Sequence, residues 1–350
     1  DGLLLVESRY ALINVYLLAF GLLSQWLLLM SSQRKGLQRW AWLTLSGLSF
    51  GATVAVKWNG LGFLLGIYLF WAIAQVGRLG TKSQPASGSF PLADLSRLSP
   101  LQLFVFLPLV GAVLYRLVWI PHLQQNPEFD FWQVHQQMYG YHQRVGNGPT
   151  VHPYCSAWFS WPPMLRPVSY FYQVAATSQE PVPMVGPPMA FDQARYVYSV
   201  YAIGNPFLWW FASIAFLMVF GLALAQGWRW WQQRRTRSAS PQGSPLLLRG
   251  SDAYIPLYLT TSYAANLLPW LSISRCAFLY HYMPAYLFSS LGLAWLLHRW
   301  LRHPLSVYRR LGLMIFIVCM LSFLFWLPLY LGLPLSPREW QWRMWFPSWI

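Results

Sequence analysis

Charge is scarce in this sequence. Only 9% of its 350 residues are Asp, Glu, Lys or Arg, against about 25% in a soluble domain. With 56% hydrophobic residues, a water-soluble fold would lack the polar surface to stay dispersed. Acids are scarcest, nine against 24 Lys and Arg. Glu128 and Asp130 form the only close acidic pair and read as solvated loop residues rather than an acid/base dyad. There is no GxxxxGK[ST] loop and no GxGxxG after a strand, which disfavours ATP-driven or nucleotide-sugar chemistry on those folds. Cysteine is nearly absent. Cys155, Cys276 and Cys319 lie far apart, with no metal spacing and no disulfide framework. The histidines match no zinc motif, so no metal is expected.

Apolar runs and aromatic residues are abundant. Trp and Tyr number 22 and 20, and both favour the membrane–water interface. A spanning helix needs about 20 mostly apolar residues. Eight candidates stand out: Tyr10–Met30, Trp40–Val56, Leu61–Val76, Leu101–Trp119, Val197–Trp228, Tyr254–Leu271, Phe278–Leu297 and Leu311–Leu331. The second and third meet at Lys57-Trp58-Asn59-Gly60. A Lys at mid-bilayer is costly, so a tight hairpin with Lys57 at the surface is expected. The reading is an integral, multi-pass, all-α membrane bundle with one large external loop. Residues 1–119 hold four helices with an inside linker at 77–100. The external loop covers 120–196, four more helices cover 197–331, and 332–350 form an external tail.

Placing both termini outside puts 15 of the 24 Lys and Arg in inside loops, as the positive-inside rule requires. The net charge of +15 then reflects topology and lipid head groups rather than nucleic acid. The linkers Gly80–Ser99 and Gln232–Gly250 read as solvated loops. Residues Ile120–Tyr196 are rich in Pro, His, Gln and aromatics, and read as an ordered cap rather than disorder.

Polar groups converge on the outside face: Glu7, Ser8 and Arg9 before the first helix, Lys57 and Asn59 in the hairpin, His135, His142, His152 and Arg166 in the loop, Asn205 opening the fifth helix, and Arg275, His281 and Tyr282 around the seventh. Each ionisable group in or near a membrane costs free energy unless paired. A cationic set at the interface suits a phosphate-bearing lipid, because Arg pairs bidentately and Lys acts as a point charge. Each also has a plainer role: Arg9, Lys57 and Arg275 can snorkel, His281 can be a core histidine, and Pro206 can simply start a helix.

Five motifs occur in order. They are Asp1-Gly2-Leu3…Glu7-Ser8-Arg9…Leu12, then Lys57-Trp58-Asn59-Gly60, then His152-Pro153-Tyr154…Ser156…Trp158…Trp161-Pro162…Arg166-Pro167. Gly204-Asn205-Pro206…Trp209-Trp210 and Arg275…Phe278-Leu279-Tyr280-His281-Tyr282…Pro284 follow. Together they resemble the protein O-mannosyltransferase family in its bacterial form. The resemblance implies a GT-C-type glycosyltransferase in the bacterial plasma membrane with its site facing outside. Mannose would pass, with inversion, from a polyprenyl- or dolichyl-phosphate donor to Ser or Thr of an exported polypeptide. The lipid-linked sugar would be a co-substrate, and no cofactor is implied. Arg9 first, then Lys57 and Arg275, would bind the donor phosphate. Glu7, Asn59, His281, Tyr282 and Asn205 would position donor or acceptor, and His142, His152, Trp158, Trp161 and Arg166 would present the acceptor. The family's catalytic acid belongs to an Asp-Glu pair, which this sequence lacks, and the family has about three more helices. The expectation is an N-terminally truncated enzyme, inactive alone. A transferase acting on a glycolipid and a multi-helix transporter are the alternatives.

Overall fold

The computed structural model describes residues 1–79, 92–176, 195–236 and 254–350. Most of the Gly80–Ser99 and Gln232–Gly250 linkers lies outside the described residues. Each predicted span coincides with a helix, with shifted ends. A short helix α1 (Gly2–Arg9) precedes α2 (Ile13–Ser32), α3 (Gly36–Val56) and α4 (Leu61–Leu79). Helix α5 (Pro100–Gln125) contains a π turn at Val105–Leu109, where Pro108 cannot donate the normal hydrogen bond. Further on come α6 (Phe131–Arg144), strands β1 (Val168–Ala175) and β2 (Tyr196–Ala202), and helices α7 (Pro206–Thr236), α8 (Ile255–Leu267), α9 (Met283–Leu301) and α10 (Ser306–Leu331). Among the described residues five helices are long and apolar enough to cross a membrane: α2, α4, α5, α7 and α10.

The bundle is tight where side chains are small. A Cβ on Gly47 or Gly51 of α3 would collide with the carbonyls of Phe106 or Gly111 in α5. Small residues are how membrane helices approach closely, since lipid is as apolar as Leu and supplies no hydrophobic drive between them. Between α2 and α3, Ser24 and Ser46 exchange hydrogen bonds with each other's carbonyls at 2.9 and 2.7 Å. Gln25 of α2 donates to Phe63 O and accepts from the Tyr258 hydroxyl, joining α2, α4 and α8.

The outer side of the bundle holds four features that the sequence did not show. Within the external loop, Phe131–Arg144 is an amphipathic helix capped by Asp130. The predicted span Val197–Trp228 starts later than expected: β1 and β2 form an antiparallel pair outside the bundle, so residues 197–202 are strand, and the membrane helix begins at Pro206. Residues 278–282 are likewise not part of the α9 helix, which starts at Met283 after a 3₁₀ turn. Finally, Cys155 and Cys276 form a disulfide across 121 residues, with Cα atoms 5.0 Å apart. Spacing in a sequence cannot reveal a pairing that the fold creates. Cys319 remains free.

The main core lies under this external segment. Trp161, Trp209, Trp326, Tyr282, Tyr286 and Tyr330 are at most 2% exposed. The indole N–H of Trp209 donates to Trp161 O, and that of Trp161 donates to Ser156 Oγ. A buried indole needs such partners, and here the partners bolt the loop to the bundle.

Candidate functional site

Helices α1 and α2 meet at a tight reversal in which Ala11 takes a left-handed φ of 52°. The reversal sets Glu7, at the end of α1, against Asn14, in the first turn of α2. Glu7 is fully buried. Its Oε2 accepts from Asn14 Nδ2 at 2.8 Å, and its Oε1 accepts from the Tyr170 hydroxyl at 2.5 Å. The Asn14 Oδ1 accepts in turn from Lys57 Nζ at 3.2 Å.

Lys57 sits in the predicted hairpin, where α3 gives way to an extended residue and then the Trp58–Gly60 turn. It is half-buried, with its ammonium 5.0 Å from the centre of the Tyr280 ring. Burial pulls its pKa down to about 8; Glu7 opposes this and Arg275 adds to it. Arg275, half-buried, donates to Cys276 O, and burial lowers its pKa as well. His142 projects from α6 with its ring 6.2 Å from Trp58. Desolvation, then Arg275 and Lys57, lower its pKa, so it is neutral at pH 7. His281 is buried with its Nδ1 at Phe278, enclosed by Trp270, Tyr280 and Trp161. The disulfide stands beside this group, because Cys276 follows Arg275 directly. Two backbone bonds flank it, Cys276 N to Gly146 O and Ser156 N to Ala277 O, both 2.8 Å.

The structure thus brings Glu7, Lys57, Arg275, His142 and His281 together. Other named residues lie elsewhere or are already engaged. Arg9 is exposed and donates to Tyr330 O at the end of α10. Asn205 is spent on helix packing: it donates to Cys319 O and accepts from Ser322 Oγ. Tyr282 is buried with its hydroxyl on that of Tyr263. Arg166 binds the carbonyls of Pro153, Ser348 and Ile350, clasping the loop to the tail. Trp161 is interior, as described. Exposed His152 and half-buried Trp158 remain on the outer side of the loop, with the His152 ring against Phe278. Asn59 stays in the hairpin, its buried Oδ1 without a hydrogen-bond partner.

Sequence reasoning passed over Asn14, Tyr170 and Tyr280. Asn14 carried a signal, being a polar side chain at the start of an apolar helix. Tyr170 carried none, because its position depends on a bulge.

Two family models cover nearly the whole chain. Residues 1–124 match the dolichyl-phosphate-mannose-protein mannosyltransferase model, and residues 128–349 match the C-terminal four-helix membrane region of protein O-mannosyltransferase. The chain belongs to the protein O-mannosyltransferase family. A polyprenol-phosphate-mannose–protein mannosyltransferase of Mycobacterium tuberculosis is 24% identical over 89% of this chain and 58% of its own length. Its counterpart in Mycolicibacterium smegmatis is 25% identical over all of this chain and 70% of its own length. This chain therefore spans little more than half of the M. tuberculosis mannosyltransferase. A solved Saccharomyces cerevisiae Pmt1-Pmt2 complex bound to the sugar donor covers 63% of this chain and 26% of that one. At 22% identity and a TM-score of 0.47 it is too distant to carry an argument. In this member of the family the aromatic bolts at Trp161 and Trp209 and the polar cluster around Lys57 share one end of the bundle.

Proposed function

We propose that the chain transfers mannose from a polyprenyl- or dolichyl-phosphate donor to Ser or Thr hydroxyls of exported polypeptides, at the outer face of a bacterial plasma membrane. One observation carries this reading: Lys57 and Arg275 lie together on the hairpin face, and the acid that acts on Lys57, Glu7, is buried with both oxygens taken. Such a cationic pair has capacity left for an external anion. In the transfer, the acceptor oxygen bonds to the anomeric carbon as the bond from that carbon to phosphate oxygen breaks. The electron pair stays on the leaving lipid phosphate. Fixed cations stabilise that growing charge. Lys57 and Arg275 lead in this role, with Arg9 behind them because its guanidinium is drawn to α10. Neutral His142, exposed His152 and Trp158 frame the side on which a polypeptide would approach. Glu7 is engaged as an acceptor of two hydrogen bonds, so the base for the acceptor hydroxyl is assigned to a carboxylate other than Glu7.

The outward orientation has physical support. A disulfide such as Cys155–Cys276 persists in an oxidising compartment, while Arg299, Arg302, Arg309 and Arg310 lie at the other end of the chain's helices, as the positive-inside rule asks. The test is mass spectrometry of secreted proteins with and without the intact gene, complemented by Lys57→Ala. Loss of hexose from secreted peptides in both strains supports the reading. Unchanged protein glycans with an altered glycolipid would move the activity to the rival acceptor.

A further inference from the structure

The buried carboxylate of Glu7 raises a question that the donor site alone does not answer. Among the described residues no Lys or Arg lies within ion-pair distance of it, and an uncompensated buried charge is costly. Its compensation is a chain of neutral groups. The Asn14 amide nitrogen faces Glu7, which turns the amide oxygen toward Lys57 Nζ at 3.2 Å. The reverse orientation would set two donors against the ammonium. On the other side, Tyr170 is the extra residue of a β-bulge: Ser169 pairs with Tyr201 and Phe171 with Val200, leaving Tyr170 unmatched. A bulge re-aims a side chain, and here it sends the hydroxyl to Glu7. Burial and Glu7 push the Tyr170 pKa far up, which keeps the hydroxyl a donor.

We propose that Asn14 and Tyr170 are positioning residues that hold the Lys57 ammonium through the buried Glu7 carboxylate, and so couple the β1–β2 strand pair to the donor end of the site. The functional part rests on the reading of Lys57 as a phosphate ligand. The groups facing Lys57 are Glu7 from α1, Arg275, Tyr280 and His281 from the segment before α9, and His142 from α6. Glu7 is the group that favours its charged form. Weakening the chain of hydrogen bonds therefore favours the neutral amine. A role confined to helix packing would lower stability and leave the ammonium unchanged.

The experiment uses the intact membrane protein in detergent. Acetylation of Lys57 by acetic anhydride is followed against pH by peptide mass spectrometry in the wild type, Asn14→Leu and Tyr170→Phe. The wild-type midpoint is expected near 8. Asn14→Leu should lower it by roughly one pH unit, the size of one lost hydrogen bond to a charged group, and Tyr170→Phe should lower it by less. The Michaelis constant for polyprenyl-phosphate mannose should rise about tenfold in Asn14→Leu, with a smaller change in kcat. A midpoint that is unchanged or raised in the folded variants overturns the proposal. Should Asn14→Leu fail to fold, Tyr170→Phe, which loses only a hydroxyl, decides it. If Lys57→Ala leaves the Michaelis constant for the donor unchanged, the phosphate reading fails, while the acetylation midpoint still judges the tether.

Discussion

Breaking the Cys155–Cys276 bridge tests how the external segment holds the site. The perturbation is Cys155→Ser with Cys276→Ser, or reduction of the native pair. For a free chain, closing a loop across the 121-residue separation would be worth roughly 5 kcal/mol. That figure is too large here. Between the two cysteines lie α7 and α8, which stay helical in the bilayer because lipid cannot satisfy their backbone groups. The chain freed by reduction is much shorter, so about 2–4 kcal/mol is expected. The two flanking backbone bonds, at about 1 kcal/mol each, hold the two segments together only partly. Reduction should therefore loosen residues 146–156 and 273–278, and with them Arg275, before the bundle melts. The assay has two arms. Alkylation with intact-mass detection should label only Cys319 until a reductant is added, and then all three cysteines. Hydrogen exchange should rise in those two segments, while α2 and α4 stay protected. The reasoning is refuted if Cys155 and Cys276 alkylate without reductant, or if the double variant exchanges and melts like the wild type.

Further predictions address separate links. Lys57→Ala should abolish most transfer, and wild-type transfer should fall as pH rises through about 8, because the ammonium is lost there rather than near its ordinary 10.4. A pH–rate profile with no alkaline limb below pH 9 would contradict this. Glu7→Gln removes the charge that favours the Lys57 ammonium and keeps the Tyr170 contact only if that hydroxyl turns from donor to acceptor. A loss of about 3 kcal/mol is expected, read from denaturant midpoints in detergent. Gly47→Leu should force α3 from the Phe106 carbonyl and cost about 1–3 kcal/mol, while the same change at exposed Gly36 introduces no such collision. Arg166→Ala should free the tail from the loop and raise proteolysis after Ser336 without moving the Lys57 titration.

Some of this was legible from composition and order alone. Long apolar runs with few charges must be helices in lipid, because every backbone group needs an internal partner there. The eight runs and the hairpin at Lys57 follow from that rule. Order along the chain also carried the family, through motifs that each would have been weak alone. Helix ends were less legible. Residues 197–202 are as apolar as a membrane helix, and only pairing with β1 makes them a strand.

The site depended on tertiary structure to a greater degree. Charge and motif position put Arg9 ahead of Lys57. Packing separated them, turning Arg9 to the end of α10 and Lys57 inward to Asn14. Asn205, Trp161 and Arg166 read as functional in sequence because they are polar or aromatic in an outward segment. In three dimensions their hydrogen bonds are absorbed by helix, loop and tail. The disulfide and the Tyr170–Glu7 contact span 121 and 163 residues, and no local pattern encodes them. Sequence by itself determined a membrane bundle, because long apolar runs follow from the transfer free energies of contiguous residues, and its family, through the order of its motifs. Tertiary structure alone decided which cation turns inward to Asn14 beside the buried Glu7, and how the external segment is locked over it, because those depend on distances between parts of the chain that never adjoin in sequence.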